Sequence, residues 1–373
     1  MGPGREGVGP RVILQESAHP GRADRAEDGR WVIPNDSTNG ERNRVRGAMA
    51  REHGDPSVVA IEEWEPAPLP PGGVRVAVRA AAVNFPDVLI LANRYQLKLP
   101  TPFVPGSEFS GTVVEVADGV TGPAVGDEVF GISMVGAFAT EVVVDAAQVT
   151  VLPAGADLRA AAAFGITYTT AYHALKTVAD VQPGEWVVIL GAGGGVGMAA
   201  IDCATVLGAK AVAVASSGTK RAACLEQGAV AALDANSPTL KEELKAVTGG
   251  GANVVIDSVG GDLAEVALRA TTWGARFVVV GFASGEIPRI PLNLVLLKGA
   301  VIVGCELASL YAHHPLAAQH RDEVIARFVA GEFSPWIGAS FDLEHTGDAL
   351  RELAERRAIG KVLIDLGATD PAS

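Results

Sequence analysis

A glycine-rich turn between an apolar run and a small-residue segment constrains this chain more than any other stretch. Trp186-Val-Val-Ile-Leu190 reads as a fully buried strand, Gly191-Ala-Gly-Gly-Gly-Val-Gly197 as the turn, and the residues after it as a closely packed helix. Such a turn aims backbone N–H groups and the positive end of the helix dipole at a phosphate. A second apolar strand then ends in Ser216-Ser217-Gly218-Thr219-Lys220-Arg221. A dinucleotide site for a free ribose 2′-hydroxyl places Asp or Glu at that point. Hydroxyls followed by two cations fit a 2′-phosphate instead, so the stretch predicts NADPH. The strict G-x-G-x-x-G spacing is not met, because Ala192 takes the place of the first glycine. The weight rests on the strand before, the helix after and the absence of an acid at the end of the second strand.

The chain has 373 residues, enough for two domains with substantial cores, and 48% of them are apolar. A formal net charge of −13 argues against a nucleic-acid or anionic-membrane surface, either of which needs clustered Lys and Arg. No apolar run reaches membrane-spanning length and no signal-peptide pattern opens the chain. Cys203, Cys224 and Cys305 are isolated, as fits buried thiols in a reducing cytoplasm better than a disulfide framework.

Residues 1–48 are rich in Arg, Gly, Asp and Glu and lack periodicity, which predicts a disordered N-terminal extension, with the globular part beginning at Met49. From Val58 to about Val151 the pattern is all-β. Val74-Arg-Val-Ala-Val-Arg79 alternates with period two, and Gly111–Val116, Asp127–Phe130 and Ala139–Val144 follow between Gly, Pro and Asp turns, suggesting a small, partly open barrel. Six strands then alternate with helices: 186–190, 211–215, 229–233, 254–257, 276–280 and 300–304. They predict a doubly wound α/β domain with a six-stranded parallel sheet. Amphipathic helices over 323–330 and 346–357 and a final strand at Lys361–Ile364 complete the chain.

Several strings together resemble one family. They are Ala82-Val-Asn-Phe-Pro-Asp87, Phe103-Val-Pro-Gly-Ser-Glu-Phe109, Thr169-Thr-Ala-Tyr172, the glycine turn, Val259-Gly-Gly261, Gly281-Phe-Ala-Ser-Gly285 with Ile287–Asn293, and Gly360-Lys361. The chain resembles, from about Met49 to Leu366, the zinc-independent NADPH:quinone oxidoreductases of the medium-chain dehydrogenase/reductase superfamily. The resemblance implies a GroES-like substrate domain over 49–166, a Rossmann domain over 167–305 and a C-terminal return over 306–373, with the active site between barrel and Rossmann fold. It also implies a homodimer, because Lys298–Gly304 matches the edge strand that pairs across a two-fold axis in relatives.

Zinc-dependent relatives draw their ligands from three places, which the resemblance puts at Asn84, Ser107 and near Gly165. None of these can supply the usual sulfur or imidazole donor, so no metal is expected. Without a Lewis acid, hydride transfer to an already electrophilic acceptor such as a quinone or an enone is the chemistry within reach. A quinone can instead take single electrons. A third reading is an NADPH-binding protein without turnover. The resemblance assigns Asn84 as an amide donor near nicotinamide and substrate, Tyr95 as a pocket hydroxyl, and Asp87 as a structural acceptor or a catalytic acid. For the cofactor it assigns backbone N–H groups of Gly194, Gly195 and Val196 to the pyrophosphate and Ser216 with Lys220 to the 2′-phosphate. Thr169, Phe282 and Ala283 fall beside the nicotinamide, and Lys361 reaches the cofactor from the C-terminal return. One departure is Asp234-Ala235 after the third Rossmann strand, where many relatives carry Asp-Tyr.

Overall fold

A computed structural model describes residues 44–367. Of these, Arg44 and Trp64–Pro68 belong to one unit, and Val45–Glu63 with residues 69–367 to another, which holds both large sheets. The N-terminal extension expected over 1–48 lies outside the described residues up to 43, but its boundary at Met49 needs correction. Met49 falls inside a strand, β1 (Val45–Ala50), paired with β2 (Val59–Trp64). Val45, Ala48 and Ala50 are buried, and the Ala48 N–H donates to the Phe138 carbonyl at 2.8 Å. The mixed Arg/Gly composition just before it hid this short edge from periodicity.

The barrel sheet consists of β3 (Gly73–Val83), β4 (Glu108–Val116), β5 (Glu128–Ile132), β6 (Glu141–Asp145) and β7 (Val149–Val151), closed on one side by two strands from the C-terminal return. The Rossmann sheet consists of β8 (Trp186–Leu190), β9 (Lys210–Ala215), β10 (Ala231–Asp234), β11 (Ala252–Asp257), β12 (Thr271–Val279) and β13 (Val301–Gly304), all parallel in the order β10-β9-β8-β11-β12-β13. The returning strands are β14 (Ile337–Asp342), which the sequence reading did not anticipate, and β15 (Lys361–Asp365). The order around β3 is β14-β15-β3-β4-β5-β7, with β6 also on β3. β14 has exposed and half-buried residues in alternation and only Ile337 and Phe341 as large apolar residues, so its signal is weak.

Helices cover both faces of the Rossmann sheet, so its central strands β8, β9 and β11 are buried on both sides. Along β8, Val187 and Ile189 enter one core with Tyr168, Tyr172, Met198 and Ile201, while Val188 and Leu190 enter the other with Val212, Val255 and Phe277. The barrel has its own core around Val76, Phe109, Phe138 and Val362. An alanine-lined seam of Ala80, Ala82, Ala162 and Ala163 lets the helix Leu158–Ala162 sit close against β3 and β15. No helix among the described residues is long and apolar enough to cross a membrane.

Candidate functional site

The sheet order reverses between β8 and β11, and in open α/β sheets a ligand sits outside the carboxyl ends of the strands at such a point. The glycine turn follows β8 there. Gly191 has φ +70°, and a Cβ on Gly197 would lie 2.5 Å from Ala192 Cα and from the Gly191 carbonyl oxygen, so only glycine lets the helix pack on its own turn. Gly194 is the extended N-cap of the helix Gly195–Val206. Its N–H donates back to Gly191 at 3.0 Å, so the expectation that Gly194 offers an amide to a phosphate is corrected: that proton is used within the turn. Gly195, Val196 and Gly197 form the first turn, where N–H groups have no intrahelical acceptor.

One cation, Lys220, packs on the turn, and a second, Arg356, meets it through its backbone. The Lys220 stem packs over Gly193, and its Nζ donates to the Arg356 carbonyl oxygen at 2.6 Å. Arg356, at φ +57°, reaches from the C-terminal return to donate from Nη2 to the Ser284 carbonyl oxygen at 2.9 Å. Among the described residues neither is in an ion pair with a carboxylate, and burial holds the Lys220 ammonium below the ordinary lysine value. Arg221 behaves differently. It pairs with Asp234 at 3.1 Å and is no free cation. Ser217, the N-cap of the helix Gly218–Glu226, accepts from the Lys220 N–H at 3.2 Å, while Ser216 stands exposed beside it. The loop after β12 brings Phe282 and Ala283 to the same end, with the Ala283 N–H donating to Ser258 at 3.0 Å. Arg356 escaped the sequence reading because no spacing rule links it to the glycine turn; only the fold of the return brings it there.

On the barrel side, three strand ends meet. β3 ends at Val83, β4 starts at Glu108 and β15 starts at Lys361, with β3 antiparallel to both and between them. Lys361 Nζ donates to Asn84 Oδ1 at 2.6 Å and Glu108 Oε2 at 2.9 Å, and it lies 3.4 Å from the Val83 carbonyl oxygen. Asn84 Nδ2 donates to the Ala82 carbonyl at 3.2 Å and to Glu108 Oε2 at 3.1 Å. Glu108 Oε1 accepts the Ile166 N–H at 2.7 Å. Glu108 is fully buried, and Asn84 and Lys361 are each 4% exposed.

This closed set differs from the sequence expectation in two respects. The Asn84 amide has spent its oxygen and both hydrogens on the protein. Lys361 packs its stem on Gly195, where a Cβ would be 3.2 Å from its Cδ, yet turns its ammonium away into the barrel. Thr167, two residues before Thr169, makes the neighbouring contact with Gly195, its Cγ2 being 3.1 Å from such a Cβ. Thr169 is buried in the same helix, Gly165–Tyr172.

Asp87 stands apart from this saturation. Its Oδ2 accepts the Asn84 N–H at 2.7 Å, which fixes the start of the helix Phe85–Leu91. Among the described residues its Oδ1 has no hydrogen-bond partner, and neither does the hydroxyl of Ser107 next to Glu108; both atoms are buried. Burial pushes the Asp87 acid up to about 7, against the pull of the Asn84 N–H, the Ser107 hydroxyl and Lys361, with Glu108 adding to the rise. Tyr95 is half-buried in the turn beyond that helix. Burial first, then the charges of Glu306 and Asp87, raise its phenol.

Comparison with known proteins agrees with this architecture. A family described as "Alcohol dehydrogenase GroES-like domain" matches residues 70–154, and one described as "Zinc-binding dehydrogenase" matches 195–319. A quinone oxidoreductase-like protein 2 homolog of Nematostella vectensis is 38% identical over 87% of this chain and 90% of its own length. The chain belongs to the quinone oxidoreductase family of the medium-chain dehydrogenase/reductase superfamily. Membership makes it an oxidoreductase. Among solved structures, Escherichia coli quinone oxidoreductase complexed with NADPH superposes with TM-score 0.78 at 26% identity, covering 86% of this chain and all of that one. A structure described as an NAD-dependent alcohol dehydrogenase gives TM-score 0.79 at 30% identity, with 86% and 100% coverage.

The zinc in one family's description does not fit these residues. Among the described residues, no group of three His, Cys, Asp or Glu side chains could hold a metal ion. Glu108, one of two acids at the barrel site, already faces the Lys361 ammonium, which would repel a dication placed beside it.

Proposed function

We propose that this chain is an NADPH-dependent, metal-independent reductase that passes a hydride to quinones. One observation carries the cofactor half. Lys220 packs on the glycine turn and meets the Arg356 backbone, each of these two cations has only a carbonyl oxygen as its partner among the described residues, and the first-turn N–H groups have no intrahelical acceptor. A cation held to a carbonyl gains a charge-assisted bond when a phosphate replaces it. In this reading Gly195 and Val196 N–H groups hold the pyrophosphate, and Ser216, Lys220 and Arg356 take the 2′-phosphate. Thr169, Phe282 and Ala283 bound the nicotinamide end. NADPH, when bound, supplies the hydride.

The chain's own residues do the rest. Asn84, Glu108 and Lys361 form a rigid, fully paired floor, and Gly195 lets that floor and the cofactor turn approach within contact distance. The relatives' names and the Escherichia coli complex with NADPH support the acceptor and cofactor classes. Purified protein should oxidise NADPH faster than NADH with a panel of quinones and yield hydroquinone. Enone reduction without quinone turnover would move the acceptor class, and tight NADPH binding with no turnover would reduce the chain to a binding protein.

The same reading includes a homodimer. Among the described residues the outer edge of β13 has no strand partner, and Val301, Ile302, Trp273, Leu296 and Leu297 are exposed around it. An apolar groove of about 210 Å³ lined by Leu268, Phe282, Ile287 and Ile302 continues the patch. Replacing Ile302 by Lys should convert a dimer to monomers in sedimentation velocity; a wild-type monomer would contradict the assignment.

A further inference from the structure

Buried polar atoms without a partner are rare in folded proteins and point to catalytic duty or a bound ligand. Five side-chain atoms among the described residues are of this kind: Asp87 Oδ1, Ser107 Oγ, Asp257 Oδ2, Arg276 Nε and Asp365 Oδ1. Arg276 pairs with Glu185, Asp365 pairs with Arg159, and Asp257 accepts two backbone N–H groups through its other oxygen. Asp87 and Ser107 are the two close enough to act on each other, the Ser107 hydroxyl drawing the Asp87 acid down, and Asp87 is bonded to Asn84 at the barrel end of the site.

Their neighbours sharpen the point. A reductase that delivers a hydride to a carbonyl must also deliver a proton to its oxygen. Asn84 cannot donate without breaking a bond to Glu108 or Ala82. Lys361 is committed to Asn84 and Glu108. Of the buried polar side chains in this cluster, the Ser107 hydroxyl keeps an unassigned proton and Asp87 an unassigned oxygen. Ser107 is 7% exposed and Asp87 2%, so bulk water does not compete freely for either.

We propose that Ser107 and Asp87 form a two-residue relay that protonates the acceptor oxygen. The proposal rests on the reductase reading above. Ser107 O–H gives its proton to the acceptor oxygen while the Asp87 carboxyl O–H gives its own to Ser107 Oγ. The acceptor takes one hydride from NADPH and this one proton, so a quinone leaves as hydroquinone. Asp87 is left as a carboxylate and regains a proton from solvent. Burial keeps the Asp87 acid protonated to about pH 7, as a proton store requires. The charged and titratable groups acting on it are Lys361, Glu108 and Tyr95.

The test compares Ser107→Ala, Ser107→Thr and Asp87→Asn with the wild type. Ser107→Ala and Asp87→Asn should lower kcat about 100-fold, with the NADPH Kd unchanged, and Ser107→Thr should recover most of the rate. The wild-type kcat should fall as pH rises through about 7, and Asp87→Asn should remove that limb. Unchanged kcat in both deletion variants, or an unchanged pH limb in Asp87→Asn, overturns the relay. Infrared spectroscopy reads the pair without turnover. A protonated-carboxyl band at pH 6 that fades by pH 8, disappears in Asp87→Asn and shifts in Ser107→Ala supports the relay. Absence of that band overturns it. A wild type inactive on every quinone and enone defeats the reductase reading, whatever the band shows.

Discussion

The two polar regions either side of Gly195 are built on opposite principles. On the barrel side Asn84, Glu108 and Lys361 satisfy one another completely and are shut off from water. On the Rossmann side the first-turn N–H groups have no intrahelical acceptor, and Lys220 and Arg356 rest on carbonyl oxygens. A saturated buried network resists change, whereas a set of donors without anions is prepared for one. Residue type alone would have ranked the barrel trio as the chemical centre. Their bonding makes them the scaffold, and leaves ligand binding to the turn and proton delivery to Asp87 and Ser107.

The largest effect expected from this contrast is on the scaffold. Glu108→Ala leaves the Lys361 ammonium buried without its carboxylate, which should cost about 3–5 kcal/mol in urea unfolding. The double variant Glu108→Ala/Lys361→Met should recover much of that loss. If the single variant costs less than about 1 kcal/mol, the trio behaves as a surface pair and the contrast fails.

Asp87 gives a smaller, pH-dependent effect. Its acid lies at about 7 when folded against an ordinary value of 3.8. The unfolded chain therefore gives up this proton first as pH rises. The stability contributed by the protonated acid is whole below about pH 4 and is lost progressively up to and through pH 7. Asp87→Asn should flatten this part of the stability–pH curve, and an unaltered slope would show that the acid is ionised in the fold. Smaller still is the effect of the chain start. Relative to a chain beginning at Arg44, one beginning at Met49 loses the buried Val45 and Ala48 and should be less stable by about 2 kcal/mol. Equal melting temperatures would restore Met49 as the boundary.

Much of the fold was legible because it is carried by local periodicity. All six Rossmann strands appear where apolar runs placed them, and the turn after β8 has the strand and helix context its glycines implied. β1 and β14 were not legible, since one is six residues beside a charged, glycine-rich segment and the other has few large apolar residues. In the site, the Lys220 stem packs over Gly193 of the turn, a contact between residues 27 apart that the position after β9 does not reveal. The direction of Lys361 was hidden, because β15 pairs with β3 and so turns a residue adjacent to Gly360 toward Asn84 and Glu108. Arg356 was hidden for the same reason: its place depends on how the return crosses the Rossmann loops. The orphan atoms of Asp87 and Ser107 can be found only when every other bond has been assigned.

The central claim is that the open cations at the turn exist to hold a 2′-phosphate. Calorimetric titration of the wild type and Lys220→Ala with NADPH and NADH tests it most directly. The wild type should bind NADPH at least about tenfold more tightly than NADH, as one charge-assisted contact of about 1.5 kcal/mol or more requires. Lys220→Ala should bring the two affinities close together by weakening NADPH alone. Equal affinities in the wild type, or an equal loss for both cofactors in the variant, would contradict it.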